Sequence, residues 1–324
     1  MRILTVGEND SGQRLDKFLT KAVKNMPQSL MYKSVRTKKI KVNRSRAQIN
    51  QILNAGDTVQ LFLPEDVFGD ATGKKTLCDM LSHVTPSFDV VYEDANVIVV
   101  YKPAGLSAHA DETNDTNNLA TQIQAYLYGK GEYSPLDEQS FSPALCHRID
   151  RNTEGLVMAA KNAAALREAD RLIRERLITK KYVALVHGKP PATEGVLTAY
   201  LRKNSVSNTA EVRKGPFPGA KEIKTGYRVI GNYGECTAVE VELLTGRTHQ
   251  IRAHFAFIGC PLVGDGKYGI NRDDRKKGFA HQALCAVSLT FSGCREPLEY
   301  LNGRTVRIRE EKIGFMNNPA LAKI

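Results

Sequence analysis

The sequence predicts an α+β protein, with a large domain built on a mixed, mainly antiparallel sheet and a small, basic α/β module in front of it. Three observations carry this. Apolar strand patterns recur beyond residue 89 at irregular spacing with no internal repeat. Helical patterns over 117–128, 163–175 and 249–257 interrupt them without the strict alternation of a parallel βαβ protein. Positive charge gathers near the N-terminus: residues 12–63 carry eleven Lys or Arg against Asp16 and Asp57, a net +9 of the chain's +11.

At 324 residues the chain is long enough for one large domain and one small module, and its 42% hydrophobic content is that of an ordinary globular protein. No run of about 18 apolar residues marks a membrane span. Met1–Thr5 leads straight into charged sequence without the apolar core of a signal peptide, which predicts a cytoplasmic protein. The six cysteines, Cys78, Cys146, Cys236, Cys260, Cys285 and Cys294, form no C-x-x-C pair and read as reduced, mostly buried thiols. The basic segment fits a polyanionic partner, because Lys and Arg on a nucleic acid release condensed counterions. A solvated basic face kept for solubility is the competing reading.

The first module begins at Gly12. Arg14, Leu15, Asp16, Phe18 and Leu19 open a helix, Pro27 punctuates it, and Leu30, Met31 and Val35 mark a second. Lys39–Asn43 alternates as a half-buried strand does; Leu53–Asp57 turns the chain into another strand, Thr58–Leu63. Arg14-Leu15-Asp16, Val42-Asn43 and Leu53-Asn54-Ala55-Gly56-Asp57 resemble the S-four-type RNA-binding domain, except that Lys38-Lys39 stands where a glycine is usual. That resemblance implies RNA contacts from Arg14, Lys17, Arg36, Lys39 and Arg44.

Residues 64–88 read as a linker, interrupted by Pro64, Gly69, Gly73 and Pro86. Strands follow at 90–94, 97–101, 182–187, 223–230, 237–244 and 286–291, within a domain spanning 89–310. Residues 311–324 read as a tail.

Two runs concentrate chemistry. In Cys146-His147-Arg148-Ile149-Asp150-Arg151-Asn152-Thr153-Glu154-Gly155 an aspartate sits between two arginines. Nearby cations favour an ionised carboxylate, the state a nucleophile or base needs. A loop aspartate in surface ion pairs fits the same residues. In Thr245-Gly246-Arg247-Thr248-His249-Gln250-Ile251-Arg252-Ala253-His254, Thr248 is placed to cap a helix and His249, Arg252 and His254 to form a phosphate-binding corner. A histidine metal site lacks a completing carboxylate or cysteine. Tyr182, entering a strand after Lys180-Lys181, equally fits an edge tyrosine with its hydroxyl in water. Gly264-Asp265-Gly266-Lys267-Tyr268-Gly269 lacks Walker spacing.

The run His147–Gly155 followed by Ala160-Lys161 resembles the signature of the RluA-type pseudouridine synthases. Four further stretches agree in that family's order: Tyr92–Leu106 with Lys102-Pro103-Ala104-Gly105-Leu106, Lys181–Ala184, Thr245–His254, and Gly264–Gly269. Ile149 replaces the usual leucine, a volume-conserving change. The resemblance covers roughly residues 89–300 and implies the pseudouridine synthase fold, with Asp150, Tyr182 and Arg252 as catalytic residues. Asp150 would start cleavage of the glycosidic bond, Tyr182 would pack on the base and help remove its carbon-five proton, and Arg252 would pair with Asp150. Arg148 would fill the gap left by an extruded uridine, and Arg247 and His249 would contact RNA. The family chemistry needs neither metal nor cofactor. Pairing with an S-four-type module implies ribosomal RNA of the large subunit as substrate, with tRNA as the alternative, and a monomer without membrane association. A non-catalytic RNA-binding assembly factor on the same scaffold is the other reading.

Overall fold

A computed structural model describes residues 1–68, 72–110, 117–204 and 207–323. The N-terminal module comprises β1 (Arg2–Thr5), α1 (Leu15–Ala22), α2 (Gln28–Arg36), β2 (Ile40–Val42), β3 (Ser45–Arg46) and β4 (Thr58–Leu61). Its antiparallel sheet runs β1-β4-β2-β3. The helical spacing of Leu15, Phe18 and Leu19 puts all three on one face, against Met31, Val35, Ile40, Val59 and Leu61. The module therefore starts ahead of Gly12, where the sequence reading placed its beginning. β1 alternates half-exposed with exposed residues, so it has little apolar signal of its own. Lys38 takes the left-handed conformation (φ 61°) that the missing glycine would supply, and thereby keeps the turn into β2.

The segment expected as a linker contains α3 (Thr72–His83), with residues 69–71 of it outside the described part. Leu77, Leu81 and Val84 sit in the same core as Leu119, Ile123 and Leu127, so this helix belongs to the large domain. The module docks on that domain through polar contacts. Ser140 donates to the buried Asp10 from its backbone N–H and its hydroxyl at 3.0 and 2.6 Å; Asn9 donates to Glu138, Gln13 to Ser140, and Ala163 N–H to Asn9.

The large domain continues with β5 (Asp89–Glu93), β6 (Val97–Lys102), α4 (Leu119–Gly129), β7 (Ala144–Leu145), β8 (Glu154–Ala160), α5 (Ala163–Arg174), β9 (Ile178–His187), β10 (Glu194–Asn204), β11 (Thr209–Arg213), β12 (Lys221–Tyr233), β13 (Cys236–Leu243), α6 (Gln250–Phe257), α7 (Arg272–Lys276), β14 (Leu284–Phe291) and β15 (Thr305–Arg307). Its sheet follows the order β11-β10-β12-β13-β9-β14-β8-β6-β5, and β14–β8 is the parallel pair in an otherwise antiparallel path. This is the mixed, mainly antiparallel α+β architecture the sequence predicts. Both faces are covered. Ile98, Val100 and Val157 pack toward α4 and α6, whereas Val97, Val99, Leu156 and Met158 pack toward α5. Strands buried on both sides lose their alternation, and β8, unlike β6, also lacks β-branched residues apart from Val157, which is why it was not among the expected strands.

The expected tail is docked as well. Ile313 is buried beside Leu298 and Ile308, and Leu321 beside Leu185 and Phe279, while Gly314 N–H donates to Glu154 at 2.9 Å. Residue 324 lies outside the described part. All six cysteines are free and buried.

One glycine sets the approach of the two central strands. Gly155 has φ 112°, and a Cβ there would lie 2.3 Å from the Ala286 carbonyl oxygen on β14. Gly155→Ala is expected to cost more than about 4 kcal/mol, through backbone strain and an unavoidable clash. Chemical denaturation checks this; a loss below about 1 kcal/mol would show that β8 and β14 can move apart cheaply.

Candidate active site

Asp150 stands in the loop that delivers β8, above the buried Ile149, and its carbonyl closes a turn by accepting from Thr153 N–H at 3.1 Å. The loop is tied down from both sides. His147 Nε2 accepts from Met158 N–H, and Arg151 O accepts from Gly105 N–H and from the Lys102 ammonium. Lys102 is fully buried and also donates to the carbonyls of Pro103 and Leu106, both at 2.8 Å. Burial pushes this ammonium down to about 7, with Asp150 and Glu154 pulling the other way.

The Asp150 carboxylate meets α6. Arg252 Nη1 donates to its Oδ2 at 2.9 Å, and the same guanidinium grips Asp265 with Nε and Nη2 at 2.7 and 2.9 Å. Arg252 is 7% exposed and Asp265 1%, so their fork is desolvated, and the Asp–Arg–Asp chain ends on the half-buried Asp150. Burial alone would raise Asp265. Arg252 and the backbone N–H groups of Lys267 and Tyr268 outweigh it and hold the carboxyl below its ordinary value. The Tyr268 ring covers the guanidinium at 5.3 Å.

Tyr182, on β9, is 5% exposed and shares a core cluster with Ile149, so its ring is packed in the protein. Burial, reinforced by the Asp150 charge, pushes its phenol well above the usual tyrosine range, so it carries its proton at neutral pH. Asp150, Tyr182 and Arg252 thus meet from three separate elements. Asp150 takes its cation from Arg252, 102 residues away, whereas its neighbour Arg148 is exposed and Arg151 reaches Ser107 at 2.9 Å.

The expected phosphate corner is not built. His249 and not Thr248 is the N-cap residue, in a left-handed backbone (φ 56°) with no side-chain cap. The Arg252 guanidinium is committed to two carboxylates. His254 points into the protein against Thr225 Oγ1 at 3.0 Å, where burial lowers it to about 4 and keeps it neutral. His249, expected on RNA, has a side chain only 9% exposed, with Nε2 3.8 Å from Asp150. Arg247 is exposed. Sequence reasoning gave no role to Asp265 and Tyr268, although both lie in the glycine-rich run it singled out. Gly264 (φ 75°) lets that run pass His281, whose carbonyl oxygen a Cβ would meet at 2.2 Å.

On the N-terminal module, Lys17, Arg36, Lys39 and Arg44 are exposed, whereas Arg14 is paired with Asp16 at 2.7 Å. A groove of about 950 Å3 there is lined by Tyr32, Lys33, Arg36, Arg46 and Gln48, of which Arg36 alone was foreseen as an RNA contact.

The human RNA pseudouridylate synthase domain containing 4 protein is similar in fold, with a TM-score of 0.53 at 21% identity over 74% of this chain and 92% of its own. The family model for RNA pseudouridylate synthase matches residues 96–257. An uncharacterized RNA pseudouridine synthase of Mycoplasma pneumoniae is 35% identical over 285 residues, 86% of this chain and 85% of its own. The ribosomal large subunit pseudouridine synthase C of Vibrio cholerae is 32% identical over 300 residues, 90% of this chain and 89% of its own. The chain belongs to the RNA pseudouridylate synthase family and is an enzyme of that kind.

Proposed function

We propose that this enzyme isomerises uridines of large-subunit ribosomal RNA to pseudouridine, as a cytoplasmic monomer, with Asp150 as the reacting carboxylate. The observation that carries the reading is the pairing of Asp150 with the buried Arg252 at 2.9 Å, beside a buried Tyr182. The large-subunit assignment is supported by the name of the Vibrio cholerae relative and by the basic N-terminal module, β1 to β4, which we read as an S-four-type RNA-binding domain. The part from α3 to the docked C-terminal segment is the catalytic domain in this reading.

A stacked uridine is out of reach of any carboxylate, so the target is extruded, at a cost of a few kcal/mol, with Arg148 occupying the gap. Asp150 starts breakage of the glycosidic bond, by attack on the sugar or by taking a sugar proton. The freed uracil turns in a site that excludes water and rejoins through carbon five. Tyr182 supports the ring, and its hydroxyl relays the carbon-five proton, giving its own proton toward N1 of the rejoined uracil as it takes the one from carbon five, so that no net proton is consumed. Arg247, with Lys17, Arg36, Lys39 and Arg44, holds the RNA backbone.

The reading is tested by tritium release from labelled transcripts: large-subunit ribosomal RNA is expected to turn over and tRNA is not. Turnover on tRNA alone would reverse the substrate assignment. Tyr182→Phe is expected to stall the reaction late, cutting overall turnover by roughly 100-fold or more while the ring still supports the base. A rate within a few-fold of wild type would leave the hydroxyl without a role. Replacing Arg36, Lys39 and Arg44 by glutamine is expected to flatten the dependence of log affinity on log salt by about 0.7–0.9 for each phosphate that is no longer neutralised. An unchanged slope would remove these residues from the RNA interface.

A further inference from the structure

Tyr268 sits between two partners. Its hydroxyl oxygen accepts from the Ala210 backbone N–H at 2.6 Å and lies 2.9 Å from His249 Nδ1. A phenol that accepts from an amide has one proton left to give, and Nδ1 is within reach of it. That donation leaves Nδ1 as the bare nitrogen of a neutral ring and puts the ring proton on Nε2, which faces Asp150 Oδ2 at 3.8 Å. The other neutral tautomer would turn the Nε2 lone pair toward a carboxylate. The ring is held in this attitude by an edge-to-face contact with Tyr268, centroids 5.7 Å apart at 78°, and by the left-handed backbone of His249. Burial is the main cause that keeps the imidazole below its ordinary value, with Arg252 and Lys267 acting in the same direction and Asp150 opposing.

We propose that Tyr268 fixes His249 as a neutral Nε2–H donor, and that this donor, together with Arg252, positions the Asp150 carboxylate. The proposal rests on the reading of Asp150 as the reacting group. Both donors address Oδ2, so Oδ1 is the oxygen left to the substrate. The gap at Nε2 closes as the substrate settles, because catalytic hydrogen bonds tighten in the Michaelis complex. Tyr268 and His249 are positioning residues in this scheme. Through Ala210 they also tie the β10–β11 hairpin to the reacting carboxylate.

The test uses full-length variants, with kcat and KM for pseudouridine formation and nitrogen NMR of ring-labelled histidine. Tyr268→Phe and His249→Leu are each expected to lower kcat by roughly tenfold to a hundredfold, the worth of one hydrogen bond to a charged group, with KM within about twofold. His249→Gln should recover part of what His249→Leu loses, because its amide N–H can reach the carboxylate without any tautomer being selected. For the same reason, Tyr268→Phe added to His249→Gln should cost no more than about twofold, whereas a merely structural role for Tyr268 would give additive losses. In the wild type, the NMR signals assigned to His249 by their loss in His249→Gln should show a protonated Nε2 and a bare Nδ1, and Tyr268→Phe should mix the tautomers. Additive losses, or a wild-type ring protonated at Nδ1, would overturn the proposal. Asp150→Asn, assayed alongside, separates the two levels. If it keeps wild-type turnover, the Asp150 reading fails. If it is inactive while Tyr268→Phe and His249→Leu turn over normally, only the positioning proposal fails.

Discussion

Asp150→Asn is expected to lower pseudouridine formation at least roughly 10,000-fold while leaving RNA affinity within about threefold of wild type. The change removes one negative charge and keeps the shape, so Ile149 stays buried and the turn to Thr153 stays closed. Asparagine can still accept a hydrogen bond from Arg252, which now has one carboxylate, Asp265, to neutralise it. On the proposed reading, what is lost is the charged oxygen that starts cleavage, while RNA is gripped elsewhere, by the exposed cations of the N-terminal module and by the exposed Arg148 and Arg247. A kinetic loss without a binding loss marks an interaction made only on the way to the transition state. A gel-shift titration beside tritium release reads both quantities. A fall in affinity that matches the fall in rate would make Asp150 an RNA contact instead.

Arg252→Met should damage both stability and activity. The methionine fills much of the volume but leaves Asp265, 1% exposed, without its cation, and breaking a buried pair from one side costs about 3–5 kcal/mol. The sign with pH follows from Asp265, whose folded value lies below the ordinary 3.8. A depressed carboxyl contributes stability that is complete at neutral pH and disappears only as pH falls through the acid range below about 4. In the variant, burial is opposed only by the Lys267 and Tyr268 backbone N–H groups, and the carboxyl rises. The stability deficit is therefore largest near neutrality and shrinks as acid protonates the group. Asp150 loses its charged hydrogen-bond donor in the same step, so turnover should fall at least roughly tenfold. Thermal unfolding at several pH values, with turnover measured beside it, checks both halves. Turnover at the wild-type level would leave the Arg252 contact without a part in the reaction.

The limits of the sequence reading are physical. Helices α1, α2, α4 and α5 were legible because each buries one stripe, and β12 and β13 because they border clear turns. β8 was not, since its run of Gly, Leu, Met and Ala has Val157 as its one β-branched residue. α3 was hidden by Gly69, Gly73 and Pro86, although Leu77, Leu81 and Val84 have helical spacing. Within the site, inspection of neighbours paired Asp150 with the adjacent arginines, because a contact across 102 residues leaves no local trace; the family resemblance alone brought Arg252 to it. Asp265 and Tyr268 went without roles for a related reason. Their task is set by what they hold, a guanidinium and an imidazole on α6, and not by anything within their own run of glycines. The docked C-terminal segment was read as a tail because Gly314, Asn317, Asn318 and Pro319 interrupt any period among its apolar residues.

The account's central claim is that this chain converts specific uridines of large-subunit ribosomal RNA through Asp150. Pseudouridine mapping of total RNA from cells lacking the gene, complemented with either the wild-type chain or Asp150→Asn at equal protein level, tests it most directly. The account predicts that defined sites in large-subunit ribosomal RNA disappear on deletion, return with the wild type and stay absent with Asp150→Asn. Sites that return with Asp150→Asn, or that lie only in tRNA, would contradict it.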